Sequence, residues 1–215
     1  CGKTTEVMNI LKKYFKAGLQ PSQVLMIGFA RATVQTLQER AQEELHLSEK
    51  QVDSIKTIHK YCRDKIGFYE VFNRKAKRDT DNWVLLDTAK DTSDEEFSMW
   101  DEKTDKKLGI IFSLIGFARH ERNKTLEQIL EFHSNHDDFK FSRIQRSEIK
   151  YCFNNLTLFK KYNNMIDFED MLEKALVENV HFPKYEVVIV DEVQDLTPLE
   201  WKVISKLGKL TKDLY

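Results

Sequence analysis

Residues that bend or crosslink a chain are scarce in this one. It has 7 glycines and 3 prolines in 215 residues, too few for a linker-like or low-complexity polypeptide. Its 3 cysteines, Cys1, Cys62 and Cys152, form no Cys-x-x-Cys pair and leave one over. That excludes a disulfide framework and predicts a reduced, cytoplasmic protein. No apolar run reaches membrane-spanning length and the first residues carry no signal-peptide pattern, so no membrane partner is expected. The net charge is -1. A globally basic surface is therefore excluded, and any nucleic-acid contact has to come from a local patch. What the chain does have is 41% hydrophobic and 32% charged residues. Such a composition describes an ordered, helix-rich globule of one large domain, or of a domain carrying an insertion.

The apolar pattern along the first part alternates between helical and strand spacing. Val7, Met8, Leu11, Tyr14 and Phe15 recur at helical intervals, with Gly18 suited to the helix end and Pro21 beyond it. Val24–Phe29, "VLMIGF", is a continuous apolar run of strand length, as in a strand covered on both faces. Val34, Leu37, Ala41 and Leu45 mark another helix, and a short strand ending near Thr57 precedes a third. Loop, helix, strand, helix is the rhythm of an α/β domain with a parallel sheet. It breaks near Phe68. "WVLLDT" reads as a short strand and "DTSDEEFSMWDEKTD" as an acidic loop, followed by the helical stretches "KLGIIFSLIGFARH", "LEQILEFH" and "SEIKYCFNNLTLFKKY". Residues 67–160 are thus expected to form a mostly helical insertion between two parts of the α/β core, 1–66 and 161–215. In the last part Asp167 is expected to cap a helix bearing Phe168, Met171, Leu172, Ala175 and Leu176 on one face. "YEVVIVDE" reads as an apolar strand ending in two acids. Thr197, Pro198 and Glu200 then form a helix-start signature, with Leu199, Val203 and Leu207 inward and Gly208 at the stop. The first residues begin inside a pattern and "LTKDLY" reads as a strand start, so both ends resemble cuts through a larger protein.

Two stretches carry chemistry. "CGKTT", Cys1–Thr5, matches the end of the phosphate-loop pattern G-x-x-x-x-G-K-[ST], directly before a helix. On these residues alone it is either a phosphate site or a solvated helix start. "VVIVDEVQD", Val187–Asp195, places an acid pair after a buried strand. Nucleotide hydrolysis needs a carboxylate for Mg²⁺ and a group that orients or deprotonates water. Ligands of open α/β sheets sit at such strand ends. Taken alone, the pair is either that site or an acidic turn; each stretch supplies what the other lacks. Two basic clusters, Arg74, Lys75, Lys77 and Arg78, then Arg119, His120, Arg122 and Lys124, are read first as solvated faces.

"VVIVDEVQDLTPLEW" resembles the DExQ-type Walker B segment of UvrD/Rep-like superfamily 1 DNA helicases. "CGKTT" is similar to the end of that family's motif I, "VLMIGFARATVQTLQERA" to motif Ia, "IKTIHKYC" to the Thr-x-His segment of motif Ib, and "IDFEDML" to the Asp-Phe-x-Asp-Leu segment before Walker B. Arg31 and Ala32 stand where the family commonly has Asn and Lys, and Met171 where Leu is usual. The resemblance implies a P-loop, RecA-like α/β fold with a helical inserted subdomain, ATP and Mg²⁺ as cofactors, and a motor that moves on single-stranded DNA. It implies that Gly2, Lys3, Thr4 and Thr5 hold the nucleotide. Thr4 and Asp191 would hold the metal, Glu192 would act on water, and Gln194 would contact the γ-phosphate. Phe29, Arg31, Thr57 and His59 would line the DNA path. Aromatic stacking and phosphate pairing suit a motor that steps on any sequence, although Phe29 also reads as core and His59 as a structural residue. Single-stranded DNA, junctions with duplex and a second RecA-like domain are the implied partners. The chain alone is expected to bind ATP poorly and not to unwind DNA. The rival readings are the motor of a helicase–nuclease, a P-loop ATPase switch that does not travel on DNA, and an interaction module with a decayed nucleotide site.

Overall fold

A computed structural model describes residues 3–67, 70–71, 102–136, 143–177 and 179–215. Cys1, Gly2, the cluster Arg74, Lys75, Lys77 and Arg78, the "WVLLDT" stretch and residues 91–101 of the expected acidic loop lie outside the described residues; the last four residues of that stretch, Glu102–Asp105, are the first turn of a helix and not loop. The helices are α1 (Lys3–Lys16), α2 (Arg31–Leu45), α3 (Glu49–Val52), α4 (Ile58–Ile66), α5 (Glu102–His120), α6 (Leu126–Asn135), α7 (Arg146–Tyr162), α8 (Phe168–Ala175) and α9 (Pro198–Gly208). The strands are β1 (Val24–Gly28), β2 (Ile55–Thr57), β3 (Glu70–Val71), β4 (Met165–Ile166), β5 (Val187–Val190) and β6 (Asp213–Leu214).

Two compact units divide the chain. One joins Cys1–Gly67 to Leu172–Tyr215; the other is Phe68–Met171. The expected limits of the insertion were 67 and 160. The second unit runs further because β4 pairs with β3, and α7 packs in the same core as Met165.

The first unit holds a parallel sheet in the order β2-β1-β5-β6. Its register pairs Met26 with Ile55 and Ile189, and Gly28 with Thr57. Every residue of β1 and β5 is buried, as expected of a parallel sheet covered on both faces. Val24, Met26, Val187 and Ile189 share one face and pack with Met8 and Leu11 of α1 and Val34, Leu37 and Ala41 of α2. β1 stops one residue earlier than the apolar run suggests, at Gly28, leaving Phe29 outside the strand and 47% exposed. A Cβ on Gly28 would stand 2.7 Å from Val34 Cγ2, so glycine here lets α2 close onto the strand end.

Local signals explain the helix ends. Gly18 follows α1 at φ +91°, the left-handed turn that glycine adopts freely. Thr197 Oγ1 accepts the Glu200 amide at 3.3 Å, and the Thr197 amide donates to Glu200 Oε2 at 2.9 Å. That capping box, with Pro198 as the first helical residue, starts α9. Gly208 does not end α9 through a left-handed turn. It is the last helical residue, and a Cβ there would meet Leu214 Cδ2 at 3.0 Å.

The second unit packs α5, α6 and α7 around Leu108, Ile111, Phe112, Ile115, Ile129, Ile149, Cys152 and Leu156. Asp167 caps α8 as its sequence suggests: its Oδ1 accepts the Asp170 amide at 2.9 Å, and Asp170 Oδ2 accepts the Asp167 amide at 3.0 Å. Arg119 corrects the reading of its cluster as a solvated face. It is 5% exposed. Its guanidinium donates to both oxygens of Asp167 at 3.0 Å and to Asp170 Oδ1 at 2.7 Å. Lys160 joins the same two carboxylates at 2.8 and 2.6 Å. A buried acid and a partly buried one facing each other across a helix cap would repel; two cations between them make the arrangement stable.

Candidate nucleotide and nucleic-acid site

The site is built at the end of the sheet where β1, β2 and β5 finish. β5 ends at Val190, and the Asp191 amide donates to the Ile27 carbonyl at 2.9 Å. The ladder between β1 and β5 therefore continues one residue past the strand and fixes the backbone of the first acid. Asp191 stands level with Gly28, which is itself level with Thr57.

After Asp191 the chain turns sharply. Glu192 adopts φ +55° and ψ +44°, a left-handed conformation uncommon for a residue with a side chain. A single 3₁₀ turn, Val193–Asp195, follows, closed by the Asp195 amide on the Glu192 carbonyl at 2.9 Å. Gln194 is folded back by this turn, and its amide Nε2 donates to Glu192 Oε2. Asp191 and Glu192 are half-buried, whereas Gln194 and Asp195 are exposed. Strained backbone held by surrounding structure is often found where a side chain must be aimed.

The direction of α1 follows from contacts near its other end. Tyr14 hydroxyl donates to Asp213 Oδ2 at 2.9 Å and meets the Tyr215 hydroxyl at 2.7 Å. Asp213 and Tyr215 are two residues apart and so share a face of the β6 segment. Asp213 pairs with Val187, the first residue of β5. Lys12 pairs with Glu44, in the last turn of α2, at 2.6 Å. The end of α1 thus sits where the strands begin. Its first residues, Lys3, Thr4 and Thr5, lie roughly 16 Å back along the helix, toward the strand ends that carry Asp191. A helix N-terminus there presents free backbone N–H groups and a positive dipole end to an anion. Hydrogen bonding to Tyr215 chiefly, then burial and Asp213, pushes the Tyr14 phenol well above its ordinary range.

The expected DNA-path residues cluster beside the acid pair. Phe29 follows β1, and Arg31 opens α2 with its side chain exposed. The α2 N-cap is Ala30, which has no side-chain oxygen to satisfy the first helical amides. Thr57 closes β2 and caps α4, its Oγ1 accepting the Lys60 amide at 3.3 Å. A hydroxyl used this way still has its own proton to donate. His59 lies in the first turn of α4, half-buried.

A residue with no evident signal in the sequence, Lys56, fixes this edge. It is 8% exposed on β2 and bridges Asp64 at 2.8 Å and Asp53 at 3.0 Å. Burial pulls its ammonium down, but the hydrogen bonds it donates to Asp64 and Asp53 outweigh this and leave the pKa raised. Asp53 likewise has burial opposing ionisation, overcome by Lys60 and Lys56, and stays below its ordinary 3.8.

Hard oxygen donors, the Thr4 hydroxyl and the Asp191 carboxylate, suit Mg²⁺, which takes few protein ligands and completes its shell with phosphate and water. Among the described residues no group of three or more His, Cys, Asp or Glu forms a protein-only metal site. No described helix is long and apolar enough to cross a membrane.

A parallel sheet flanked by helices, with an acid pair at a strand end and a helix start facing the same edge, defines a RecA-like nucleotide hydrolase. The chain belongs to the UvrD/REP helicase family: that family's N-terminal domain matches it over residues 1–215. Membership makes this an ATP-binding, P-loop motor domain of a superfamily 1 DNA helicase, an ATP hydrolase in the intact protein. No individual curated protein matches the chain.

Proposed function

We propose that this domain couples ATP hydrolysis to movement along single-stranded DNA, 3′ to 5′, and to opening of duplex at single-strand junctions. The observation that carries the proposal is the Asp191 amide bonded to the Ile27 carbonyl at 2.9 Å. It joins the acid-bearing strand to the strand that ends beside the exposed Phe29. A change at the nucleotide has one short backbone path to a stacking aromatic.

In this account Gly2, Lys3, Thr4 and Thr5 hold the phosphates at the start of α1. Thr4 and Asp191 hold Mg²⁺, which would offset the charge of the phosphates. Glu192 takes a proton from, or orients, the attacking water. Gln194 meets the γ-phosphate. Phe29 stacks on a base, Arg31 meets a phosphate, and Thr57 and His59 line the same path. A second RecA-like domain completes the nucleotide site, so this domain alone neither binds ATP tightly nor unwinds DNA. The protein works in the cytoplasm.

The test is ATP turnover by the intact protein with and without single-stranded DNA, followed by translocation from labelled 3′ and 5′ ends. Stimulation by DNA and arrival at the 5′ end are expected. Turnover indifferent to DNA would favour a P-loop switch and contradict the motor.

A further inference from the structure

We propose that Tyr14 is a positioning residue for the nucleotide site: its hydroxyl sets the register of α1 against β5, and so of Thr4 against Asp191. The inference rests on the nucleotide-site reading above and adds to it a residue at the far end of the helix from the phosphates.

The two proposed metal ligands stand on different elements. Thr4 is in the first turn of α1, and Asp191 follows the last residue of β5. Met8 and Leu11 hold α1 to the sheet by apolar packing with Val187 and Ile189. Such packing is non-directional; bonds of defined length and angle fix where along the sheet a helix stops. Tyr14 supplies them. Its hydroxyl donates to Asp213 Oδ2 at 2.9 Å and, with its one proton so used, accepts from the Tyr215 hydroxyl at 2.7 Å. Backbone bonds key both partners to β5. The Asp213 amide donates to the Glu186 carbonyl at 3.0 Å, the Tyr215 amide to the Val188 carbonyl at 3.0 Å, and the Val190 amide to the Tyr215 carbonyl at 2.9 Å. Val190 immediately precedes Asp191. The helix that starts with Lys3 and Thr4 is thus joined to the first acid through Tyr14, Tyr215 and Val190. Lys12, near the same helix end, pairs with Glu44 of α2 at 2.6 Å and ties that end to α2, not to β6.

Mg²⁺ demands near-octahedral geometry at about 2.0–2.1 Å, so ligands on two elements hold it together only in the right register. Phosphate oxygens that accept backbone N–H groups at a helix start need α1 alone. A slipped α1 therefore costs the metal more than it costs the phosphates.

Binding to the intact protein tests this. Affinity for a non-hydrolysable ATP analogue, with Mg²⁺ and with EDTA, is measured for wild type, Tyr14→Phe and Lys12→Met, beside thermal melts. Tyr14→Phe keeps the ring and removes both hydroxyl bonds. Its Mg²⁺ gain, the ratio of the two affinities, should fall about threefold or more, with affinity in EDTA close to wild type. Lys12→Met should keep the wild-type gain. A gain unchanged in Tyr14→Phe, whatever its melting temperature, or one that falls as far in Lys12→Met, would overturn the assignment. A wild type that binds the analogue no better with Mg²⁺ than with EDTA would instead overturn the nucleotide-site reading. Asp213→Asn, which removes the charge that Tyr14 donates to, replaces Tyr14→Phe if that variant melts early.

Discussion

The Asp191 amide donates to the Ile27 carbonyl at 2.9 Å, one residue beyond the last residue of β5. Through that bond the first acid of the site and the end of β1 share a single backbone frame. Phe29, two residues after Ile27, projects from the same edge with 47% of its surface exposed. An aromatic this open at the end of a fully buried strand is accessible for the base stacking proposed above. Phe29→Ala should weaken single-stranded DNA binding by about 1–3 kcal/mol whatever the base sequence. Arg31→Gln should lower the slope of log affinity against log salt by about 0.7, the share of one phosphate contact on a single strand. Fluorescence anisotropy with homopolymers across a salt series checks both.

Gly28 sets how close α2 comes to that edge. With Val34 Cγ2 only 2.7 Å from where its Cβ would lie, Gly28→Ala forces the helix start outward. The expected loss is about 1–3 kcal/mol of stability, the usual cost of overpacking. Adding Val34→Ala removes the obstructing methyls and should recover part of it. Denaturant unfolding of the single and double variants reads the recovery directly.

The clasp around Lys56 gives a pH signature. Asp53 titrates below its ordinary 3.8 in the folded chain. Its contribution to stability is present above that value and is lost as pH falls through the lower, folded value. Lys56 titrates above its ordinary 10.5, so its contribution is present below that value and is lost as pH rises through the higher, folded one. Lys56→Met removes one of the two lysines that hold Asp53, together with the lysine paired to Asp64. The stability of wild type relative to this variant should therefore be more favourable at about pH 7 than at about pH 3, by up to ~1 kcal/mol for so exposed a pair of acids. Urea titrations at the two pH values provide the comparison; a difference that grows on acidification would contradict the clasp.

Arg119 is the main electrostatic anchor of the helical unit. Asp167 has no exposed surface, and Arg119→Ala would take from it the guanidinium that donates to both its oxygens. A loss of about 3–5 kcal/mol is expected, as when one partner of a buried pair is removed. Arg119→Lys should restore only part, because an ammonium cannot span both carboxylates as the planar guanidinium does. The exposed neighbour Arg122 should change stability by less than about 0.5 kcal/mol on replacement by alanine. Thermal melts of the three variants separate the roles.

Arg119 also shows where local pattern stops being informative. Its cluster reads as a solvated face because its partners, Asp167 and Asp170, lie 48 and 51 residues on, and periodicity carries nothing over that distance. Lys56 is similar: a lysine next to a strand end looks like surface until Asp53 and Asp64 enclose it. By contrast, the capping residues Asp167 and Thr197 act on backbone groups three residues away, and both are legible from sequence. The buried strands β1 and β5 were equally legible, since a parallel sheet covered on both faces demands unbroken apolar runs. At the candidate site, residue types and order were visible in "VVIVDEVQD". The left-handed turn at Glu192 and the return of Gln194 onto it were not, because neither residue type favours that backbone.

The central claim is that the acid pair at the end of β5 performs hydrolysis. Glu192→Gln in the intact protein, assayed with saturating single-stranded DNA and Mg²⁺, tests it most directly. Binding of a non-hydrolysable ATP analogue should persist while turnover falls by about 10²–10⁴-fold, the usual worth of a general base. Turnover equal to wild type, with nucleotide still bound, would contradict the account.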